Sequence, residues 1–504
     1  MRLADLVARL GGSVSPFPGN GPQVTDVHLD SRRVDVGDLF VALRGMREDG
    51  ARYALDALAR GASAVLTERP ISYGALRGPR AVVEWVHPEA RRVAGMAAAL
   101  VHGEPSAGLF TVAVTGTNGK TTTAHLVGQL LAKAGRRPAV LGTAGNRLAD
   151  GALRPAVNTT PDSPSLQRML AQHRELGGDS LAMEASSHAL DQERLAGLRV
   201  DVAVFTNLTR DHLDYHGDLE SYARAKERLF RALGSRAHAV VNADDPCSRR
   251  MGDAARAAGA RVHTYGARTS GDLRATTLET DLSGTRLLLS GMGISRTEVW
   301  LPLAGGYNVE NALAAAAAAL LSGASPSTVV DGLATASGAP GRLERVDTRG
   351  RGFSLFVDYA HTEDALEKVC RTVREGLELG SGRLGGSPGR MVVVFGCGGD
   401  RDRGKRAPMG RVVGEIADVA VVTSDNPRGE EPSRIAEEIL AGMRATRAEL
   451  VVELDRRAAI ERAVRIARPG DVVLIAGKGH ETTQTIGRRV DEFDDRRVAA
   501  EALR

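Results

Sequence analysis

Residues 111–123 read TVAVTGTNGKTTT, an apolar run that passes straight into glycine, lysine and threonine. A strand that ends in such a loop and restarts as a helix fits few folds. The helix must return over the sheet, so the next strand lies parallel to the first. Gly116 and Gly119 let backbone N–H groups approach phosphate oxygens, Lys120 brings a point charge, and Thr121 brings a hydroxyl for Mg²⁺ at the start of a helix. The full pattern calls for a glycine at 114, where Val114 stands, so the match is to a shorter variant. A glycine-rich turn with no ligand is the plain alternative, and Gly-Lys-Thr at a strand-to-helix junction argues against it. The expected phosphate cradle is Gly116, Thr117, Asn118, Gly119, Lys120, Thr121 and Thr122.

The strand is one of many. AVLG (139–142), SLAME (180–184), DVAVFTN (201–207) and AVVN (239–242) follow in the middle of the chain; FSLFVD (353–358), MVVVFG (391–396), VAVVTSD (419–425) and DVVLIAG (471–477) come later. Between strands, residues 122–135 place Leu126, Val127, Leu130, Leu131 and Ala134 on one helical face and end at a glycine. Alternating strands and helices predict an α/β fold with parallel sheets covered on both faces. At 504 residues the chain is too long for one core. The Gly/Pro/Ser-rich stretches VHGEPSAG (101–108) and TASGAPG (335–341) read as joints, giving expected domains 1–107, 108–338 and 339–504. GSGRLGGSPG (380–389) reads as a flexible surface loop.

Sixty-six Lys and Arg against 62 Asp and Glu leave a formal charge of +4, with no basic block to suggest nucleic acid. Cys247, Cys370 and Cys397 cannot all pair with one another and form no C-x-x-C, which points to a reducing cytoplasm. Leu3, Leu6, Val7 and Leu10 recur at helical spacing with charges between them, a surface helix rather than a secretory signal. The longest apolar run, 312–321, is half the roughly 20 residues of a membrane span and reads as a buried helix.

Ligands of an open parallel sheet collect beyond the carboxyl ends of its strands. Glu184 ends one such strand, and TRDHLD, carrying His212, follows another. A strand-end carboxylate near a triphosphate suits Mg²⁺, although either residue taken alone is more often a solvated or salt-bridged side chain. Lys226 lies on the apolar face of residues 219–233, with Tyr222, Leu229, Phe230 and Leu233. A lysine there commonly snorkels to water. The alternative is a buried, neutral amine that can add CO₂ and become a carbamate.

These residues, in this order, resemble the Mur ligases of peptidoglycan synthesis, which join an amino acid to a UDP-muramoyl peptide at the expense of ATP. The likeness runs from LDSRRVDVGDLFVAL (29–43) through NTTPD (158–162), MEASSHALDQERL (183–195), TRDHLDYHGDLESYARAKERLF (209–230), NADDP (242–246), GGYNVENALAAA (305–316), GRLE (341–344), VDYAHTEDAL (357–366) and GCGGDRDRGKR (396–406) to GKGHE (477–481). It implies an N-terminal α/β domain for the UDP substrate, a central P-loop domain for ATP and a C-terminal Rossmann-like α/β domain for the amino acid, with the two joints as hinges. It further implies two Mg²⁺ ions, a carbamate (N6-carboxylysine) at Lys226, and catalytic or metal-holding roles for Lys120, Thr121, Glu184, His212 and Lys226.

SDNPRGEEP (424–432) is similar to the string of those members that add diaminopimelate to UDP-MurNAc-L-Ala-D-Glu. Diaminopimelate carries a second amino acid head. Arg428 can bind its carboxylate through two N–H groups, while Asp425 and Asn426 can accept from its ammonium. Pro427, Arg401, Gly477 and Glu481 join them by resemblance. Meso-diaminopimelate is favoured over the LL form, though the string itself does not separate them, and lysine would leave Arg428 facing no anion. The UDP-sugar dipeptide falls to Leu29, Ser31, Met46, Arg47, Glu48, Asn158, Thr159, Thr160, Ser186, Gln192 and Arg194, the last as counter-charge to a D-Glu carboxylate. Asn308, Asn311 and Arg342 complete the ATP set. A monomer with only small-molecule partners, no nucleic acid and no membrane span is expected. The rivals are a folylpolyglutamate synthetase, a P-loop ATPase that hydrolyses ATP to water, and a non-catalytic homologue.

Overall fold

The strand that feeds the glycine loop, Phe110–Thr115, sits at the centre of its sheet. Ser180–Glu184 pairs with it on one side and Val202–Phe205 on the other, both parallel. Pro138–Gly142 adds beyond the first, and His238–Asn242 then Arg261–Gly266 beyond the second, again all parallel. The chain therefore fills one flank, returns across the central strand and fills the other. The loop lies at that topological switch, where such sheets open a crevice. Val112, Ala113 and Val114 are fully buried, as an uninterrupted apolar strand covered on both faces requires.

The chain is described by a computed structural model over residues 1–15, 17, 19–45, 48–71, 82–384 and 389–504. It divides into two compact units, Met1–Asp272 with Ala314–Val329, and Leu273–Leu313 with Val330–Arg504. The first unit also holds a five-stranded sheet ordered Ser13–Val14, Glu84–Val86, Ala64–Thr67, Leu39–Ala42 and Val27–His28, whose core gathers around Trp85, Leu39 and Leu66. Residues 101–108, expected as a joint, end in a packed turn: Pro105 and Ser106 are buried, and Ser106 Oγ accepts from the Arg199 N–H at 3.0 Å.

The helix after the loop spans Lys120–Lys133, starting two residues before the periodic stretch because Gly119, at φ 85°, caps it in the left-handed region. Gly128 brings it close to the sheet, since a Cβ there would lie 2.4 Å from Val140. Leu219–Arg231 forms the helix expected around Lys226; Asp218 caps it by accepting from the Ser221 N–H. Ala314–Ala319 are fully buried within the helix Gly306–Leu321, as the alanine run predicts. Among the described residues no helix is long and apolar enough to cross a membrane.

In the second unit six strands run in the order Glu344–Val346, Ser354–Asp358, Val472–Ala476, Met391–Phe395, Val419–Val422 and Glu449–Val452, parallel apart from the first pair. Two elements differ from expectation. Leu273–Asp281, Gly284–Gly291 and Ile294–Leu301 form an antiparallel meander, and Glu363–Leu384 is one helix that continues into the stretch expected to be loop. The latter follows from cooperative helix growth: no proline intervenes before Pro388, and adding a residue to a formed helix costs far less than nucleating one. Residues 385–388 of that stretch lie outside the described residues, as do Met46 and Arg47.

Within the first unit, one partly buried charge cluster ties the five-stranded sheet to the helices Ala90–Val101 and Ser163–Glu175. Asp26 accepts from His102 Nε2 at 2.9 Å and from Arg168 Nε at 2.5 Å; His28 Nε2 lies 3.4 Å from it and 3.3 Å from Asp38. Burial pushes the Asp26 carboxyl up, but the bonds from His102, His28 and Arg168 outweigh it and hold the group far below the carboxylate range. A group whose pKa is depressed on folding adds stability above its unfolded pKa, roughly 4, and loses it as pH falls. Asp26→Asn should therefore cost about 2 kcal/mol near pH 7, and the gap from the parent in chemical denaturation should narrow below about pH 4.

Candidate active site

The loop is held open from beneath. The Thr117 N–H donates to Asn207 O at 2.8 Å, the Asn118 N–H to Asn207 Oδ1 at 2.9 Å, and Thr206 Oγ1 to Asn118 O at 2.6 Å. Asn207, expected only as a strand end, thus shapes the cradle. At Gly116, φ 151°, a Cβ would sit 1.8 Å from Thr206 Oγ1, so only glycine fits. Lys120 Nζ folds back on Gly116 O at 3.0 Å and Thr117 O at 2.8 Å, marking the space that phosphate oxygens would compete for.

A second amine reaches the same carbonyl. Lys226 Nζ, on a side chain with 1% exposure, donates to Gly116 O at 2.7 Å and lies 4.1 Å over the Tyr222 ring. Burial, then the nearby Lys120, lowers its pKa well below the usual lysine value, which favours a neutral amine. His212 stands at φ 51° before a short helix, its ring 4.8 Å from His188 and 6.2 Å from Tyr222. Burial lowers its pKa against the pull of Asp211, so the imidazole is neutral near pH 7 and able to bind a metal. His188 is pushed down to about 4 by burial and then by His212 and His216.

Glu184 is buried at the end of its strand. Thr121 Oγ1 donates to its Oε2 at 3.0 Å, and the Thr143 N–H to its Oε1 at 2.7 Å. Gly142 makes room for the carboxylate: a Cβ there would lie 2.2 Å from Oε1. Gly142 and Thr143 are absent from the expected site, and the terminal glycine of AVLG is their only trace in the sequence. Among the described residues no three or more His, Cys, Asp or Glu side chains converge to hold a metal, so the expected ligand set is not closed by such side chains alone. The Glu184–Thr121 pair still fits Mg²⁺, which binds through one or two carboxylates and keeps several waters.

In the same unit is a cavity of about 160 Å³ lined by Leu29, Leu43, Arg91, Asn158, Asp162, Ser163, Gln192 and Arg194. Four of these, Leu29, Asn158, Gln192 and Arg194, belong to one expected binding set. Arg91, on the helix Ala90–Val101, does not, because an arginine pair on a helix carries no motif. Arg194 is aimed by Thr160 O at 2.8 Å and by Gln192 Oε1 at 2.8 and 3.1 Å. Thr160 Oγ1 donates to the Glu184 backbone O at 2.8 Å, and Thr159 Oγ1 accepts from Thr143 at 3.0 Å; NTTPD thus links the cavity to the backbone of Glu184 and to Thr143, which holds its carboxylate. Ser186 caps the next short helix through the Ala189 N–H. Ser31 is buried in the turn Ser31–Arg33, and Glu48 accepts from the Tyr53 hydroxyl.

In the second unit, Asp425, Asn426, Pro427, Arg428, Gly477 and Glu481 meet where two strands end. Arg428, at φ 50°, donates from Nη1 to Gly399 O at 2.8 Å, and its N–H donates to Thr485 O. Asn426 differs from the expected acceptor of an ammonium. Its Oδ1 already accepts from the Thr485 N–H at 2.9 Å and from Lys478 Nζ at 3.3 Å, while its Nδ2 donates to Glu481 at 2.9 Å. Arg401 is exposed on the adjoining loop. Asn308 and Asn311 are buried, the former donating to Ala304 O and the latter to Asn308 Oδ1. Arg342 stacks 4.6 Å from the Tyr359 ring centre.

A glycine-lysine-threonine loop at a sheet switch point, with a strand-end carboxylate on its threonine, defines a P-loop α/β protein. Likeness to known proteins narrows the class. Residues 23–102 match the family description "Mur ligase family, catalytic domain", 114–319 "Mur ligase middle domain", and 341–479 "Mur ligase, glutamate ligase domain". The chain belongs to the Mur ligase family. It is similar to the UDP-N-acetylmuramoyl-L-alanyl-D-glutamate–2,6-diaminopimelate ligases of Geobacillus thermodenitrificans (strain NG80-2), 43% identical over all of this chain and 99% of the relative, and of Solibacter usitatus (strain Ellin6076), 44% identical over 96% and 94%. A solved structure of a ligase of that name superposes with a TM-score of 0.70 at 35% identity, covering 100% of this chain and 99% of that one.

The crowding at Gly116 gives a direct test. Gly116→Ala should weaken ATP binding by about tenfold or more through the displaced loop, as read by nucleotide titration, with an unchanged far-ultraviolet circular dichroism spectrum.

Proposed function

We propose that this chain is an ATP-dependent ligase that adds diaminopimelate, meso in preference to LL, to the D-Glu γ-carboxylate of UDP-MurNAc-L-Ala-D-Glu, releasing ADP and phosphate. The observation that carries the reading is the full-length likeness to relatives named for that reaction. The cavity with Arg91 and Arg194 and the Arg428 cluster support it from the chemistry of the substrates. In this reading residues 1–107 hold the UDP end, 108–338 hold ATP and 339–504 the amino acid. Three free thiols and cytoplasmic nucleotide substrates fit a cytoplasmic enzyme, acting as a monomer.

A carboxylate does not react usefully with an amine at neutral pH. Arg194 holds the dipeptide carboxylate, and the loop N–H groups with Lys120 stabilise charge on the transferring γ-phosphoryl. The carboxylate oxygen attacks phosphorus, ADP leaves, and an acyl phosphate forms. The free amine of diaminopimelate adds to the acyl carbon, a proton is lost, and phosphate departs to leave the amide. One Mg²⁺ at Thr121 and Glu184, and a second ion at Glu184, His212 and a Lys226 carbamate, would offset repulsion between carboxylate and phosphate. Lys226 suits carbamate formation because its nitrogen is buried and its ammonium disfavoured. Asn308, Asn311 and Arg342 are assigned to the nucleotide.

Product mass after incubation with UDP-MurNAc-L-Ala-D-Glu, ATP and, separately, meso-diaminopimelate, LL-diaminopimelate and lysine tests the reading. Phosphate release from ATP alone would instead favour a hydrolytic ATPase. Lys226→Met should lower kcat by about 100-fold or more while leaving ATP affinity near that of the parent, and ¹³C-bicarbonate should give a carbamate resonance in the parent only. Arg428→Glu should abolish use of diaminopimelate, with ATP affinity close to unchanged in the same titration.

A further inference from the structure

Lys478 follows Gly477 at the end of the strand Val472–Ala476, and its side chain is fully buried. An ammonium removed from water is costly unless its partners are close. Those partners are Asn426 Oδ1 at 3.3 Å, Glu481 Oε2 at 3.2 Å and Asp425 Oδ1 at 3.7 Å. All three belong to the cluster assigned above to diaminopimelate, and Lys478 itself has no part in the mechanism so far.

The polar groups that bear on the cluster's charge are mostly committed to partners. Arg456, the other buried cation nearby, is committed to Asp495 at 2.8 and 2.7 Å. Arg428 is aimed by Gly399 O at 2.8 Å. Asp425 Oδ1 is buried and accepts no hydrogen bond from the described residues, while the Gln484 amide binds the Asp425 carbonyl at 2.8 Å. A buried carboxylate oxygen without a donor is expensive unless a ligand supplies one. Two carboxylates, Asp425 and Glu481, thus face one internal ammonium, and one unit of negative charge is left over.

We propose that Lys478 is a positioning residue for diaminopimelate recognition: it locks the Asn426 amide and neutralises one of the two carboxylates, leaving a single negative charge for the ligand's distal ammonium beside Arg428. With Arg428 counted, the four charged side chains sum to zero, the charge of a zwitterionic amino acid head. Bound to Lys478 and the Thr485 N–H, the Asn426 oxygen cannot turn toward the ammonium, so that group is left to Asp425 and Glu481. This rests on the assignment of the cluster to diaminopimelate.

The test is steady-state kinetics of the full chain with each substrate varied. Lys478→Met should raise the KM for diaminopimelate about tenfold or more, with KM for ATP and for the UDP-dipeptide unchanged and kcat within about threefold. Glu481→Gln should raise the same KM. In the double variant, Asp425 alone again supplies one negative charge, so its KM should fall well short of the product of the two single effects. A multiplicative double variant, an unchanged KM in folded Lys478→Met, or a uniform change in every kinetic constant would overturn the proposal. Should Lys478→Met fail to fold, the double variant carries the test alone: a KM within about threefold of Glu481→Gln supports charge balance, and a further tenfold rise refutes it. Arg428→Met separates the two readings. If it leaves the diaminopimelate KM unchanged, the assignment of the cluster is wrong; if it raises that KM while Lys478→Met does not, only the role of Lys478 falls.

Discussion

Two amines converge on one carbonyl. Lys120 and Lys226 both donate to the oxygen of Gly116, one from the loop and one from a helix more than a hundred residues later. Two full positive charges so placed would repel strongly in a site with little water. Burial resolves the conflict by disfavouring the ammonium of Lys226. The fold around the site keeps that arrangement: Tyr222 covers the amine on its own helix, Thr206 and Asn207 fix the loop from the neighbouring strand, and the glycine at 116 leaves no bulk between them.

The same economy of space recurs at Glu184. Its carboxylate stands over Gly142, takes the hydroxyl of Thr121 and the N–H of Thr143, and its backbone carbonyl accepts from Thr160. The phosphate loop and the cavity proposed for the dipeptide are therefore joined through one strand end. A displaced Glu184 would disturb both, which makes the order of strands in this sheet, rather than any single loop, the feature that brings the phosphate loop and the residues proposed for the dipeptide together.

The parallel strands are legible in the sequence because a strand buried on both faces must be apolar throughout, as VAVF and MVVVF are. The meander Leu273–Leu301 lacks such runs: its strands alternate polar and apolar residues, as strands with one solvated face do. The helix Glu363–Leu384 runs into a glycine-rich string whose composition alone argues for coil. In the site, residues inside short strings such as GTNGKT and DNPR can be found by reading along the chain. Arg91, Gly142 and Thr143 cannot, and the string GKGHE does not reveal what Lys478 does, since each matters only through what lies across from it in space.

Sequence by itself determined the kind of chemistry. Glycine, lysine and threonine at a strand end supply the groups that bind phosphate, and the spacing of these residues is local. Only the tertiary structure decided the charge states and the donor assignments. Whether Lys226 is neutral, whether Asn426 offers an oxygen or an N–H, and how many negative charges remain beside Arg428 all depend on burial and on partners from distant strands. Desolvation and hydrogen bonding act through space, and a linear string does not carry those distances.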